Sequence, residues 1–240
     1  MTDPVQAVAP VLQRFQELFG PRLQAFLVYG ERQKPAGGSG AGSRHVHTLA
    51  LVDQLTGDDL AACAPSVPDW RKQGLATPLV LSAAEFARSL DAFPLEYGEI
   101  IADHLLVAGT DPFEHLQARP ADLRRACEVQ AKSHLLHLRE GYLETGGKPE
   151  AVAALIRASA PALAALLRNV ARLEGAPADD HATVAHHTRH RLGLDGDTIH
   201  DVLALTQQPD RLNAAGAQRL FPPYLDAVER LVHYVDTWTS

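Results

Sequence analysis

Cysteine and methionine are scarce: two of the first and one of the second among 240 residues. Cys63 and Cys127 are too few for a disulfide framework and lack the paired spacing of a zinc ribbon. Both are expected as buried apolar fillers. Positive charge is also in deficit, since 22 Lys and Arg against 29 Asp and Glu leave a net charge of -7. A non-specific nucleic-acid binder needs a basic surface to displace counterions, so that class is disfavoured. No uninterrupted apolar run approaches the roughly 18 residues of a membrane span. Met1-Thr2-Asp3-Pro4 has neither the basic flank nor the apolar centre of a signal peptide. The expectation is a cytoplasmic protein without membrane contact. The hydrophobic share of 46% is ordinary for a globular chain and argues against wholesale disorder.

Histidine is abundant, with twelve residues, and their positions decide whether that abundance means metal. The first half alternates helical and extended signals. Val8, Val11, Leu12, Phe15, Leu18 and Phe19 follow helical spacing, and Gly20-Pro21 ends the pattern. Leu23 to Gly30 is a short apolar run closed by glycine, a buried strand. Lys34 to Ser43 reads as a mobile loop, and 45–52 as a second strand. Thr56 suits the N-cap of a helix reaching Cys63. Pro78 to Leu81 is a third strand, after which Ser82 and Glu85 form a capping box over a short helix. Phe93 to Ile101 and His104 to Val107 read as further extended segments.

Beyond Arg119-Pro120 the pattern is helical. Leu123, Cys127, His134, Leu135, Leu138 and Tyr142 share one stripe. Ala151 to Leu173 is rich in Ala and Leu, with Pro161 marking a kink or a restart. Thr198 to Leu205 forms a short helix, and Tyr224 to Trp238 a last amphipathic one started by Pro222-Pro223. The fold class is therefore α+β: a mixed sheet with flanking helices over 1–118, then an all-α helical bundle over 119–240.

Gly38-Ser39-Gly40-Ala41-Gly42 invites comparison with a dinucleotide loop. Such a loop must open a helix so that phosphate meets free amides. Here a strand follows, and a strand connector is the better reading.

The order of helix, strand ending in Leu27-Val28-Tyr29-Gly30, loop and strand 45–52 resembles the nucleotidyltransferase superfamily of polymerase β and the aminoglycoside nucleotidyltransferases. His104 to Phe113, with its Gly-Thr-Asp-Pro turn, is similar to the strand and turn that close that domain, and the helical second half resembles the accompanying bundle. The resemblance implies a nucleotide near Gly30 and Glu31. It also implies a divalent metal held by an Asp-x-Asp pair and a third acid, because hard cations take oxygen ligands. On this chain the pair falls on His45 and His47, and the third acid on Glu96 with Glu99 as the alternative.

Two histidines in place of two aspartates remove the anionic ligands of Mg²⁺. Glu31 adds negative charge where a triphosphate would settle. The first expectation is thus a catalytically degenerate member of that fold. It would act as a ligand-binding or protein-interaction module, taking a nucleotide or small molecule in the interdomain cleft. The second is an active transferase acting on a small hydroxylated acceptor. It would use an altered site of His45, His47 and Glu96, with Zn or Mg as the metal and Glu99 as base. A third is a metal-dependent hydrolase built on His181, His186, His187 and His190, although a solvated basic helix explains that cluster more simply. His134, in the leucine stripe, is expected as a packed residue with a hydrogen bond. Arg124, Arg125 and Arg139 are expected mainly in surface ion pairs with helix acids.

Overall fold

A computed structural model describes residues 4–30, 45–176, 178, 181–191 and 193–238. The readings placed on Glu31 and on the 34–43 loop lie outside these residues. The chain forms two compact units that meet in sequence between Arg119 and Pro120.

The first unit is built on a four-stranded sheet of order β3-β2-β1-β4. Its strands are β1 (Leu23–Tyr29), β2 (His47–Val52), β3 (Leu79–Ser82) and β4 (His104–Gly109). β1 runs antiparallel to both β2 and β4, while β2 and β3 are parallel. Parallel neighbours need a crossover, which here contains α3 (Gly57–Cys63) and α4 (Val67–Lys72). Alternation along the strands fills two cores. Phe26, Val28, Ala50 and Val52 pack with Val11, Phe15 and Phe19 of α2 (Ala9–Phe19) and with Trp70. The short α1 (Pro4–Ala7) precedes α2. On the opposite face Ala25, Leu27, Leu49 and Leu51 pack with Phe86, Ile100 and Phe113. Burial on both faces is why β1 and β2 read as nearly continuous apolar runs.

The caps form as the residue types require. The Thr56 hydroxyl accepts from the Asp59 backbone N–H at 3.2 Å, and the Asp59 carboxylate accepts from the Thr56 N–H at 3.0 Å. Arg22 donates two bonds to the same carboxylate, at 2.7 and 3.1 Å, joining the start of β1 to α3. The Arg22 guanidinium, and after it the Thr56 hydroxyl, hold the Asp59 carboxyl well below the usual carboxylate range. Ser82 and Glu85 close the second capping box, on α5 (Ala83–Arg88).

One segment departs from its sequence reading. Phe93 to Ile101 does not extend the sheet; Pro94–Ala102 is helix α6. Pro94 sits in the first turn, where its fixed φ and missing N–H suit helix entry. A short apolar run cannot by itself distinguish a buried strand from a buried helix. Leu95 and Ile100 turn inward, and α6 delivers the chain to β4. At the far end of β4, Gly109 has φ +86°, and a Cβ there would overlap the Gln24 carbonyl.

The second unit consists of α7 (Pro120–Glu144), α8 (Pro149–Leu173), α9 (His181–Arg191), α10 (Gly196–Ala204) and α11 (Ala214–Thr237). α7, α8 and α11 pack against one another, and α10 joins α8, α9 and α11. α8 runs unbroken through Pro161. By length and composition it could cross a membrane, but its apolar stripe of Ile156, Leu163, Leu166 and Val170 is buried among its neighbours. α11 starts earlier than the proline pair suggested. Asn213 caps it by accepting from the Gly216 N–H at 2.8 Å, which leaves Pro222 and Pro223 inside the helix. Two prolines two turns in forfeit two internal bonds, and burial of Phe221, Tyr224 and Val228 around them offsets that loss.

A polar chain threads this apolar bundle. His134 Nε2 lies 2.8 Å from the Tyr224 hydroxyl, which lies 3.0 Å from Ser159 Oγ. Ser159 in turn donates to the Ile156 carbonyl at 3.0 Å. Every member is satisfied if His134 donates to Tyr224 and Tyr224 to Ser159. Cys127 is fully buried, and burial pushes its thiol up to about 12.

Burial, with His137 adding a smaller effect, lowers the His134 pKa to about 4 from 6.5. The folded state thus binds this proton less readily than the unfolded chain. The resulting stability is full above the unfolded value and is lost as pH falls from about 6.5 to 4. Denaturant titrations across that window should show a loss of roughly 3 kcal/mol at most from this group. His134→Gln should flatten the slope there; an unchanged slope would refute it. Gly109→Ala combines a left-handed φ with a backbone clash, and should cost about 2–4 kcal/mol in the same measurement.

Candidate functional site

The strand register gathers side chains at one end of the sheet. Tyr29, the last residue of β1, pairs with His47 at the head of β2 and with His104 at the head of β4. Residues in register on neighbouring strands project from the same face. The face in question is that of Leu27, Leu49 and Phe113. The Tyr29 and His47 rings stand 5.5 Å apart between centroids. Burial raises the Tyr29 phenol above its ordinary value. Gly30 follows in a left-handed conformation, φ +73°, and donates its N–H to the Asp103 carbonyl at 3.0 Å. That bond ties the end of β1 to the residue entering β4.

His104 is fixed on three sides. Its Nδ1 is 2.9 Å from the Ile101 carbonyl and its Nε2 is 3.3 Å from the Asp111 carboxylate. Its ring meets Phe113 edge-on at 4.9 Å. Asp111 also accepts from the Phe113 N–H at 2.9 Å. That backbone bond first, and His104 after it, keep the Asp111 carboxyl below its usual range. Aromatic contacts continue outward: Phe113 tilts against Phe86, Phe86 stacks on Tyr97 at 4.3 Å, and Phe93 leans on Tyr97. Phe93 is 50% exposed, so the run of rings reaches solvent.

The residues expected to hold a metal do not share one element. His45 lies just before β2 and is half-buried, and His47 opens the strand and is exposed. Val46 between them bridges to Leu75, extending the parallel pairing towards β3. Glu96 is exposed in the first turn of α6 and Glu99 is half-buried one turn later, so both stand on a helix and not on a strand. The sequence pattern did not single out Tyr29, His104, Asp103 and Asp111 for this site. Asp103 is a buried carboxylate, 6% exposed, at the sheet end. Its position between a helical run and a strand was the available signal, hidden while 93–101 was read as extended.

The second histidine group lies on α9, where the His186 and His190 rings stand 4.3 Å apart. His187 Nε2 approaches the buried Glu174 carboxylate at 2.7 Å, off the line of a hydrogen bond. Among the described residues, no set of three His, Cys, Asp or Glu side chains is arranged to hold a metal ion. Two of the three arginines pair as expected. Arg124 bonds Glu128 and the Val235 carbonyl, and Arg139 pairs with Glu229 across to α11.

No family model and no curated protein matches this chain. Among solved structures it resembles a spectinomycin adenyltransferase, AAD(9), from Enterococcus faecialis, determined with ATP and spectinomycin. The TM-score is 0.50 at 11% identity, over 94% of this chain and 98% of that one. The fold is that of a nucleotidyltransferase. The likeness extends through the helical second unit, and at this identity it speaks for architecture alone.

The electrostatics of the sheet end are open to direct measurement. Carboxyl-detected NMR should find Asp111 titrating below the ordinary aspartate range. His104→Ala should raise that value only part of the way, because the Phe113 N–H still donates. A full return to the ordinary value would mean that His104, and not the Phe113 N–H, is the main cause of the depression.

Proposed function

We propose that this protein keeps the nucleotidyltransferase fold, has given up metal-dependent nucleotidyl transfer, and acts as a binding module for a nucleotide or other small molecule. The observation that carries this reading is the donor set at the head of β2. His45 and His47 stand in the Asp-x-Asp positions assigned by the sequence resemblance, and His47 and His104 flank Tyr29 in register. Imidazole and phenol are poor Mg²⁺ ligands, since that ion demands oxygen donors of high charge density in octahedral geometry. Asp103 is a single carboxylate, and Glu96 is exposed on α6. The described residues therefore do not fit a two-metal centre.

Ligand binding draws support from two features. Gly30 ends β1 and, among the described residues, no atom lies within 4 Å of where its Cβ would be, which suits close approach of a ligand to the backbone. The exposed Phe93, leaning on the half-buried Tyr97, provides apolar ring surface for a heterocycle. The solved structure it resembles was determined with ATP and spectinomycin, which makes nucleoside triphosphates the first ligands to try.

The test is a thermal-shift series with ATP, GTP, CTP and UTP, each alone and with Mg²⁺, Mn²⁺ or Zn²⁺. A ligand that binds only the native state raises the melting temperature. The expected result is stabilisation by at least one nucleotide without a Mg²⁺ requirement and without pyrophosphate release. The double substitution His45→Asp, His47→Asp should then make the stabilisation Mg²⁺-dependent. Mg²⁺-dependent pyrophosphate release by the unaltered protein would instead establish an active transferase with a rearranged site. No stabilisation by any nucleotide under any metal would end the nucleotide reading.

A further inference from the structure

Within the second unit, a cavity of about 400 Å³ opens between α10, the 3-10 turn Pro209–Arg211 and the start of α11. This is within the size range of small-molecule sites. Asp197 and Asp201 line it from α10, one helical turn apart, and both are exposed. Like charges at that spacing repel and weaken the helix that carries them. Facing the same cavity are Arg211, at the end of the 3-10 turn, and Arg219 on α11. Among the described residues none of these four side chains makes an ion pair or a hydrogen bond, although two of each sign line one space.

Unlike Arg124 and Arg139, Arg211 and Arg219 form no ion pair with an acid among the described residues. Arg124 and Arg139 reach carboxylates at 3.1 and 2.8 Å; Arg211 and Arg219 line the same space as Asp197 and Asp201. Leu205 and Leu220 add apolar surface to the lining. A further acceptor is available at the α11 wall. Pro223 has no N–H, so the Arg219 carbonyl lacks its helical donor. A purely anionic ligand would satisfy the arginines and be repelled by the carboxylates, and a purely cationic one would meet the reverse.

We propose that this cavity binds a small zwitterion. Its carboxylate or phosphate is gripped by Arg211 and Arg219, whose planar guanidiniums match either group. Its ammonium lies between Asp197 and Asp201, and a short apolar linker rests on Leu205 and Leu220. This site lies wholly within the second unit and does not depend on the reading of the sheet end.

The test uses the full chain with four probes: ε-aminocaproate, aminohexyl phosphate, caproate and hexylamine. The dissociation constant of each is measured by saturation-transfer NMR titration at low salt. At least one of the two bifunctional probes should bind about tenfold or more tighter than both single-charge controls. The preferred member of the pair identifies the anionic group as carboxylate or phosphate. Affinity should fall with added salt, as expected for an exposed charge-paired ligand. Arg219→Gln and the pair Asp197→Asn, Asp201→Asn should each reduce binding about tenfold while the melting temperature holds or rises. The inference is overturned if the controls bind as tightly as the bifunctional probes, if no probe binds at millimolar concentration, or if both variants retain the original affinity.

Discussion

The first unit depends on the double burial of β1. Its residues from Ala25 to Val28 are each 1% exposed or less, sealed by α2 on one face and by the Phe86, Ile100 and Phe113 cluster on the other. A strand in that position must pair its amides and carbonyls on both edges, because unpaired backbone groups in an apolar interior are costly. β2 and β4 supply those partners. The position of every rim residue follows from that pairing. A slip of one residue in either ladder would move His47 or His104 to the opposite face.

The same constraint explains why the sheet end is chemically distinctive. The apolar alternation of β1 stops at Tyr29, and the in-register positions on both neighbours are histidines. The result is a rim of aromatic and imidazole groups, with carboxylates at its margin in Asp103 and Asp111. Such a rim offers stacking faces and hydrogen-bonding groups. The fold is a nucleotidyltransferase fold, and function is decided by the donor atoms that stand at such a rim, not by the fold.

The second unit shows two ways of placing polar groups in a helical assembly. In its interior, His134, Tyr224 and Ser159 complete one another's bonds, so burial carries no unpaired polar group along that chain. At its surface, Asp197, Asp201, Arg211 and Arg219 line a cavity without pairing among the described residues. The first arrangement favours a single packing of α7, α8 and α11. The second leaves two charges of each sign around one space.

Much was legible in the amino-acid sequence. β1 to β3, the N-cap at Thr56, the capping box at Ser82, the buried cysteines and the hydrogen-bonded His134 all follow from local pattern and side-chain chemistry. The α+β class and the resemblance to nucleotidyltransferases also rested on local order, and the solved structure it resembles bears out the fold. Local pattern failed where two structures satisfy it equally. The apolar run after Phe93 suits strand or helix, and only packing of Leu95 and Ile100 against the rest of the unit selects the helix. Pro222-Pro223 reads as a helix start, yet tertiary burial of the flanking apolar residues carries α11 through it. The alignment of Tyr29 with both His47 and His104, and the gathering of four charges around one cavity, were decided by tertiary structure alone. Sequence determines which side chains alternate along a strand or recur on a helix, because those periods are properties of the backbone. Which elements become neighbours, and in what register, is set by long-range burial that no local window contains.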